Sequence, residues 1–175
     1  MSRAVTVLFS LIAYAIFFAT FLYLIAFVGN LPFAPITVDR GPEAPVATAL
    51  LINVALIALF GVQPSAMARQ GFKKAWTRFV PWPAERSVYV LAASLALIVL
   101  FLGWRPIAGT VWSVENPMAA NLLMIFFGLG WLIVLLSTFL INHFELFGLQ
   151  QAWFHMKGRT AVAPHFRHPF FYKLV

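Results

Sequence analysis

The feature that most constrains this chain is a set of four long apolar runs. They cover about residues 4–29, 44–63, 88–104 and 119–142. A stretch of roughly 20 apolar residues, at 1.5 Å rise each, crosses a hydrocarbon core about 30 Å thick. Of the 175 residues, 62% are hydrophobic and only 10% are charged. So few charged residues could not cover the surface of a soluble domain. We therefore predict an all-α integral membrane protein, a single membrane domain over 1–175 with about four transmembrane helices.

The basic residues indicate an orientation. Ten of the 12 Lys and Arg lie in the N-terminal tip, the second loop or the tail after 142, and the other two loops carry only Arg40 and Arg105. By the positive-inside rule both termini and the second loop face the cytoplasm. Basic residues beside apolar runs are expected to contact anionic lipid headgroups, which argues for membrane lipids rather than nucleic acid as partners. The first run is about twice as long as a signal-peptide core, so we expect it to stay as an anchor.

The second loop predicts an amphipathic helix over about 65–80. Small and aromatic side chains fall on one helical face: Ala68, Phe72, Ala75, Trp76 and Phe79. Pro81 and Pro83 then end the helix. Two placements of this helix stay open. It lies in the plane of the lipid headgroups, or it packs on the protein's own cytoplasmic surface.

Polar residues in or beside the apolar runs are the candidates for function, since hydrocarbon offers them no hydrogen bonds. Asn53, inside the second run, is expected to hydrogen-bond between helices. The other candidates form two groups at the cytoplasmic ends of the second and fourth runs, where they would line one pocket: Gln63 and Ser65, then Asn142, His143 and Glu145. On a regular helix Glu145 points away from His143, and the alternative for both is an ordinary solvated helix end.

The sequence predicts neither a disulfide nor a metal site. There is no cysteine, which excludes disulfides, thiolate catalysis and zinc sites built on Cys. His143 and His155 would be about 18 Å apart on one helix. His165 and His168 lie between prolines that disfavour a shared helical turn. A haem or quinone subunit is disfavoured as well, because no histidine lies inside a run.

Several stretches resemble the membrane methanethiol S-methyltransferases of bacteria, which are similar to NnrU-like proteins and, more distantly, to isoprenylcysteine carboxyl methyltransferases. They lie at 27–30, in the second loop at 67–69, 72–73, 76–81 and 85–90, and above all at 137–149. The resemblance implies transfer of a methyl group from S-adenosylmethionine to methanethiol, a small volatile thiol, giving dimethyl sulfide. It places the chain in a bacterial inner membrane, and His143 is our candidate for the base that takes the thiol proton.

Two departures from the family pattern matter. Pro64 stands where the family has histidine, between Gln63 and Ser65. The family also continues into an Arg-His-Pro motif, a hydrophobic hairpin and paired glutamates that together hold the cofactor. In the family a tyrosine and a glycine follow that motif at short spacing, whereas Phe170-Phe171-Tyr172-Lys173 after Arg167-His168-Pro169 offers no glycine. We therefore expect this chain to lack the main cofactor-binding segment and to show no measurable thiol methylation by itself. The alternative is a non-catalytic membrane protein that binds a lipid or a protein partner.

Overall fold

The computed structural model describes residues 2–110 and 112–159, and every regular element among them is an α-helix. Four helices are long and apolar enough to span a membrane, which confirms the predicted fold class. The helices in chain order are α1 (Arg3–Val28), α2 (Val46–Ala68), α3 (Gln70–Trp76), α4 (Trp82–Gly103), α5 (Pro117–Ile141), α6 (His143–Leu146) and α7 (Leu149–Met156). His165 and His168 lie outside the described residues.

The centre of the bundle is the parallel pair α1 and α4. At one end the hydroxyls of Ser10 and Ser87 are 2.8 Å apart and fully buried, because small side chains let the two backbones approach closely. At the other end Phe27 packs on Phe101, with ring centroids 5.0 Å apart, in a buried apolar cluster. Small residues therefore set the helix spacing at one end, and aromatic residues fill the core at the other.

Helix α2 packs antiparallel on α4, and Asn53 connects the two. Its amide nitrogen donates to the Arg105 carbonyl at 2.7 Å, and its amide oxygen accepts from the Arg105 backbone N–H at 2.9 Å. Both polar ends of a buried amide are thus paired with the backbone just past α4. The expected interhelical role of Asn53 is confirmed.

Three helices have bounds that differ from the sequence prediction. Helix α2 runs through Pro64 to Ala68. Next to Pro64, which has no backbone N–H to donate, the Ser65 hydroxyl donates to the Gly61 carbonyl at 2.6 Å. The helix predicted over 65–80 is therefore shorter. It is only α3, because Arg69 is extended (φ −68°, ψ 139°) and separates it from α2. Helix α4 starts at Trp82, earlier than expected, since a proline is favourable in the first turn of a helix.

Helix α5 is displaced along α1, and α6 and α7 continue beside α1 after α5 ends. Phe127 lies at the far end of α1, where a Cβ on Gly29 would come within 2.9 Å of its ring. At the near end a Cβ on Gly158 would lie 3.5 Å from the Arg3 guanidinium. Between these points α5 ends at Ile141. The segment that runs along α1 is therefore one long helix followed by two short ones.

Candidate functional site

The chain turns directly after α5, beside the first half of α1. His143 contacts Tyr14, which is about 16 Å along α1 from Arg3 and about 21 Å from Val28 at 1.5 Å per residue. Helix α5 is long enough to span a membrane by itself and ends at Ile141, so His143 follows the end of the fourth span, where the sequence placed it. The cytoplasmic side of that end stays a prediction.

The imidazole of His143 is buried among aromatic rings and hydrogen-bonded at both nitrogens. Only 2% of the residue is exposed, so the alternative of a solvated helix end is wrong for it. The Phe139 ring stacks on it at 4.1 Å between centroids, and the Phe147 ring packs at 4.8 Å. Nε2 lies 2.7 Å from the Tyr14 hydroxyl, and Nδ1 lies 2.7 Å from the Thr138 hydroxyl.

The hydrogen-bond directions follow from the Thr138 hydroxyl. This group has one proton, and it donates that proton to the Leu135 carbonyl at 2.7 Å. Thr138 therefore accepts from Nδ1–H of His143, which leaves Nε2 as the acceptor for the Tyr14 O–H. The neutral tautomer is thus fixed, with its basic nitrogen directed at a phenol.

Asn142 organises the turn between α5 and α7. Its side-chain nitrogen donates to the Glu145 carboxylate at 2.8 Å and to the Gln150 amide oxygen at 2.9 Å. Its side-chain oxygen faces the Glu145 backbone N–H at 3.4 Å. The geometry of a regular helix, which separated Glu145 from the rest, does not apply here because the chain turns at Asn142. Gly148, in the left-handed region at φ +87°, then directs α7 onto α1 and α4.

An apolar cavity of about 510 Å³ opens beside this turn. The polar side chains in its wall are Asn142 and Gln150, and the rest is apolar, including Val7, Leu11 and Trp153. Leu11 and Tyr14 are three residues apart on α1 and so lie on one face. The Tyr14–His143 hydrogen bond is therefore about one helical turn from the cavity wall. Such a volume and lining suit a small apolar ligand.

The second predicted group lies elsewhere. Gln63 donates to the Met67 sulfur at 2.8 Å, and its own oxygen is buried without a partner among the described residues. Ser65 is exposed and bonded within α2. No hydrogen bond or shared cavity joins either residue to Asn142, His143 or Glu145 in the part of the chain that is described, so the structure does not bring the two groups together.

Sequence reasoning missed three members of the site: Tyr14, Thr138 and Gln150. Tyr14 lies inside the first apolar run, where a hydroxyl far from either end is a signal of the same kind as Asn53. Thr138 precedes His143 by five residues, and on a continuous helix residues five apart do not face each other. Their contact depends on the turn between α5 and α6. Gln150 accepts from Asn142, a contact that depends on the turn after α5.

The apolar cavity by itself does not fit S-adenosylmethionine. That molecule carries a carboxylate, an ammonium, a sulfonium, two ribose hydroxyls and an adenine, whereas the cavity offers two amides as polar side chains. We assign none of the described residues to it. Among residues 2–110 and 112–159 no group of three His, Asp or Glu side chains is placed to hold a metal ion.

Comparison with known proteins identifies close relatives. The chain is 49% identical over 174 residues to methanethiol S-methyltransferase 1 of Bradyrhizobium diazoefficiens, which is 99% of this chain and 60% of that protein. It is 44% identical over 175 residues to the methanethiol S-methyltransferase of Mycobacterium tuberculosis, covering 100% of this chain and 71% of that protein. Human nurim is similar at a distance, with 30% identity over 148 residues, 75% of this chain and 55% of nurim.

The chain thus spans about 60 to 71% of the length of these two methyltransferases. No protein-family model matches it. No solved structure matches it either. The resemblance predicted from the motif stretches is confirmed: the chain is a multi-pass membrane protein that belongs to the methanethiol S-methyltransferase family.

Proposed function

We propose that this chain supplies the thiol site of a methyltransferase that converts methanethiol to dimethyl sulfide, with S-adenosylmethionine as the methyl donor. The observation that carries the proposal is the Tyr14–His143–Thr138 chain of hydrogen bonds, about one helical turn from an apolar cavity. The names of the relatives give the reaction, and the described residues are consistent with an apolar thiol.

The proton balance follows from the tautomer. Nε2 of His143 is covered by the Tyr14 hydroxyl, so the thiol reaches the phenol first. The S–H proton moves to the Tyr14 oxygen while the phenolic proton moves to Nε2, which leaves a thiolate, an intact phenol and an imidazolium. Thr138 accepts from Nδ1–H throughout and holds the ring in place. Burial around the ring excludes water, which would otherwise hydrate the thiolate and weaken it as a nucleophile.

Asn142 and Glu145 have a positioning role in this proposal. Their hydrogen bonds, together with that to Gln150, close the turn that directs His143 toward α1. Gln63 and Ser65 were predicted to line the same pocket, and we propose no contact between them and the thiol. Pro64 stands beside both, where the family pattern has histidine.

We also propose that both termini face the cytoplasm of a bacterial inner membrane. The two basic residues in the opposite loops have local structural roles, which supports the charge count. Arg40 donates to backbone carbonyls just after α1, including Pro32 at 3.2 Å. Arg105 donates to the Gly103 and Trp104 carbonyls at 3.0 and 3.1 Å. Arg40 thus holds the loop after α1 and Arg105 caps the end of α4, where a cation is favourable, so the remaining basic residues carry the topological signal.

The test is a chimera in which this chain replaces the matching segment of the Bradyrhizobium relative. Membranes are supplied with methanethiol and S-adenosylmethionine, and dimethyl sulfide is measured in the headspace. We expect production well above that of membranes with an empty vector. The parent relative at equal membrane abundance is the positive control. A chimera that accumulates normally and yields nothing while the parent is active would refute the proposal.

A further inference from the structure

A second cavity, of about 280 Å³, lies at the end of the bundle where α2 ends and α4 begins. Its wall combines residues from the end of α2, from α3 and from the first turns of α4: Met67, Ala68, Lys73, Trp76, Glu85, Arg86 and Tyr89. These residues come from the second-loop stretches of the family resemblance. None of them takes part in the proposed thiol site, so this cavity calls for a separate explanation.

The polar groups in this cavity are mainly hydrogen-bond donors. The Trp76 indole nitrogen is buried with no partner among the described residues. An indole N–H can only donate, and leaving it buried and unpaired is unfavourable. The Arg86 guanidinium and the Tyr89 hydroxyl also have no hydrogen-bond partner within residues 2–110 and 112–159. Lys73 is paired with Glu85 at 2.9 Å. The side chains carry one net positive charge, so the complement is an acceptor-rich anion.

We propose that this cavity binds the phosphate of an anionic phospholipid headgroup. The phosphate would accept from Trp76, Arg86 and Tyr89, and its charge would balance the excess positive charge. The volume is below the usual range for drug-sized ligands and suits a headgroup better than a nucleotide. A soluble phosphate compound has the same chemistry at its phosphate, and the location decides between the two sources.

That location is the level of the headgroups. The cavity lies where two spanning helices end, and phospholipid phosphates lie at the same depth. Aromatic side chains beside it are exposed on the protein surface, as in an interfacial belt: Phe72, Phe79 and Trp82. Arg78, on the same loop, adds positive charge without lining the cavity. A lipid whose acyl chains follow the apolar helix surfaces would place its phosphate at Arg86.

The test is native mass spectrometry of the full chain, released from detergent with equal amounts of phosphatidylglycerol and phosphatidylcholine. We expect one phosphatidylglycerol to be retained in preference. Arg86→Gln and Trp76→Phe should each weaken its retention about tenfold, because each removes a donor from the phosphate. Arg78→Gln is the matched control, since it removes the same charge from the loop and should change retention by less than about twofold.

Three outcomes would overturn the proposal. Equal losses for Arg86→Gln and Arg78→Gln would show diffuse attraction to an anionic surface. Equal retention of the two lipids by the parent chain would show that no anion is selected. Displacement of the lipid by millimolar glycerol 3-phosphate would identify a soluble phosphate compound as the ligand. Trp76→Phe keeps an aromatic ring in place, so its result stays informative if Arg86→Gln disturbs folding.

Discussion

Gly148→Ala should destabilise the protein because Gly148, the residue directly before α7, packs closely against α4. A Cβ at this position would lie 2.5 Å from the Ser87 hydroxyl oxygen, 2.8 Å from the Ser87 nitrogen and 3.0 Å from the Arg86 Cβ. Two of these neighbours are backbone or Cβ atoms that cannot rotate away. Gly148 also has φ +87°, where an L residue is strained.

The magnitude is the sum of two effects. Left-handed strain costs about 1–2 kcal/mol. Crowding in a packed interface costs about 1–3 kcal/mol more. The expected loss is therefore about 2–5 kcal/mol, and the melting temperature should fall by roughly 4–20 °C at about 2–4 °C per kcal/mol for a chain of this size.

Gly158 and Gly128 separate the two effects. Gly158 has φ +68°, but a Cβ there would meet only the flexible Arg3 guanidinium at 3.5 Å, so Gly158→Ala should show the strain alone. Gly128 is helical with no atom within 4 Å of the added Cβ, so Gly128→Ala should be neutral or slightly stabilising. Thermal unfolding of the purified variants in detergent, followed by tryptophan fluorescence, measures all three. Equal losses for Gly148→Ala and Gly158→Ala would refute the close packing against Ser87.

Three further predictions concern the site, the topology and the α2–α4 contact. In the chimera, Tyr14→Phe should lower dimethyl sulfide production about 10²-fold at unchanged membrane abundance, because the phenol relays the proton, and a loss below about threefold would exclude that role. Single cysteines at Asp39 and Ser113 should react with a membrane-impermeant thiol reagent in intact cells while one at Thr77 should not, and labelling at Thr77 alone would invert the proposed topology. Asn53→Leu should cost about 1–2 kcal/mol in the same unfolding assay, since it leaves the Arg105 backbone N–H and carbonyl without these partners; an unchanged melting temperature would mean that water replaces the amide.

The sequence was sufficient for the spans because length and hydropathy decide what crosses a bilayer. It could not locate the turn that follows the fourth span. Residues 137–149 have the pattern of one continuous helix, and nothing in that pattern shows that α5 ends at Ile141 and that Asn142 turns the chain. The displacement of α5 along α1 depends on contacts such as Phe127 with Gly29, which join distant parts of the chain.

The same limit applies to the site. His143, Asn142 and Glu145 were found because polar side chains beside an apolar run are unusual. Tyr14 is 129 residues away from His143, and only the antiparallel packing beside α1 makes it the partner of Nε2. Conversely, Gln63 and Ser65 were grouped with His143 by assumed depth alone.

The measurement that tests the central claim most directly is the activity of His143→Ala in the chimera as a function of pH. At neutral pH, dimethyl sulfide production should fall by roughly 10²-fold or more, since a positioned base typically contributes 10² to 10⁴. The deficit should shrink at high pH, where methanethiol ionises without help and the base becomes redundant. A packing defect would instead persist at every pH. Equal production by mutant and parent at neutral pH, with equal protein in the membrane, would contradict the account and leave His143 as a buried structural residue.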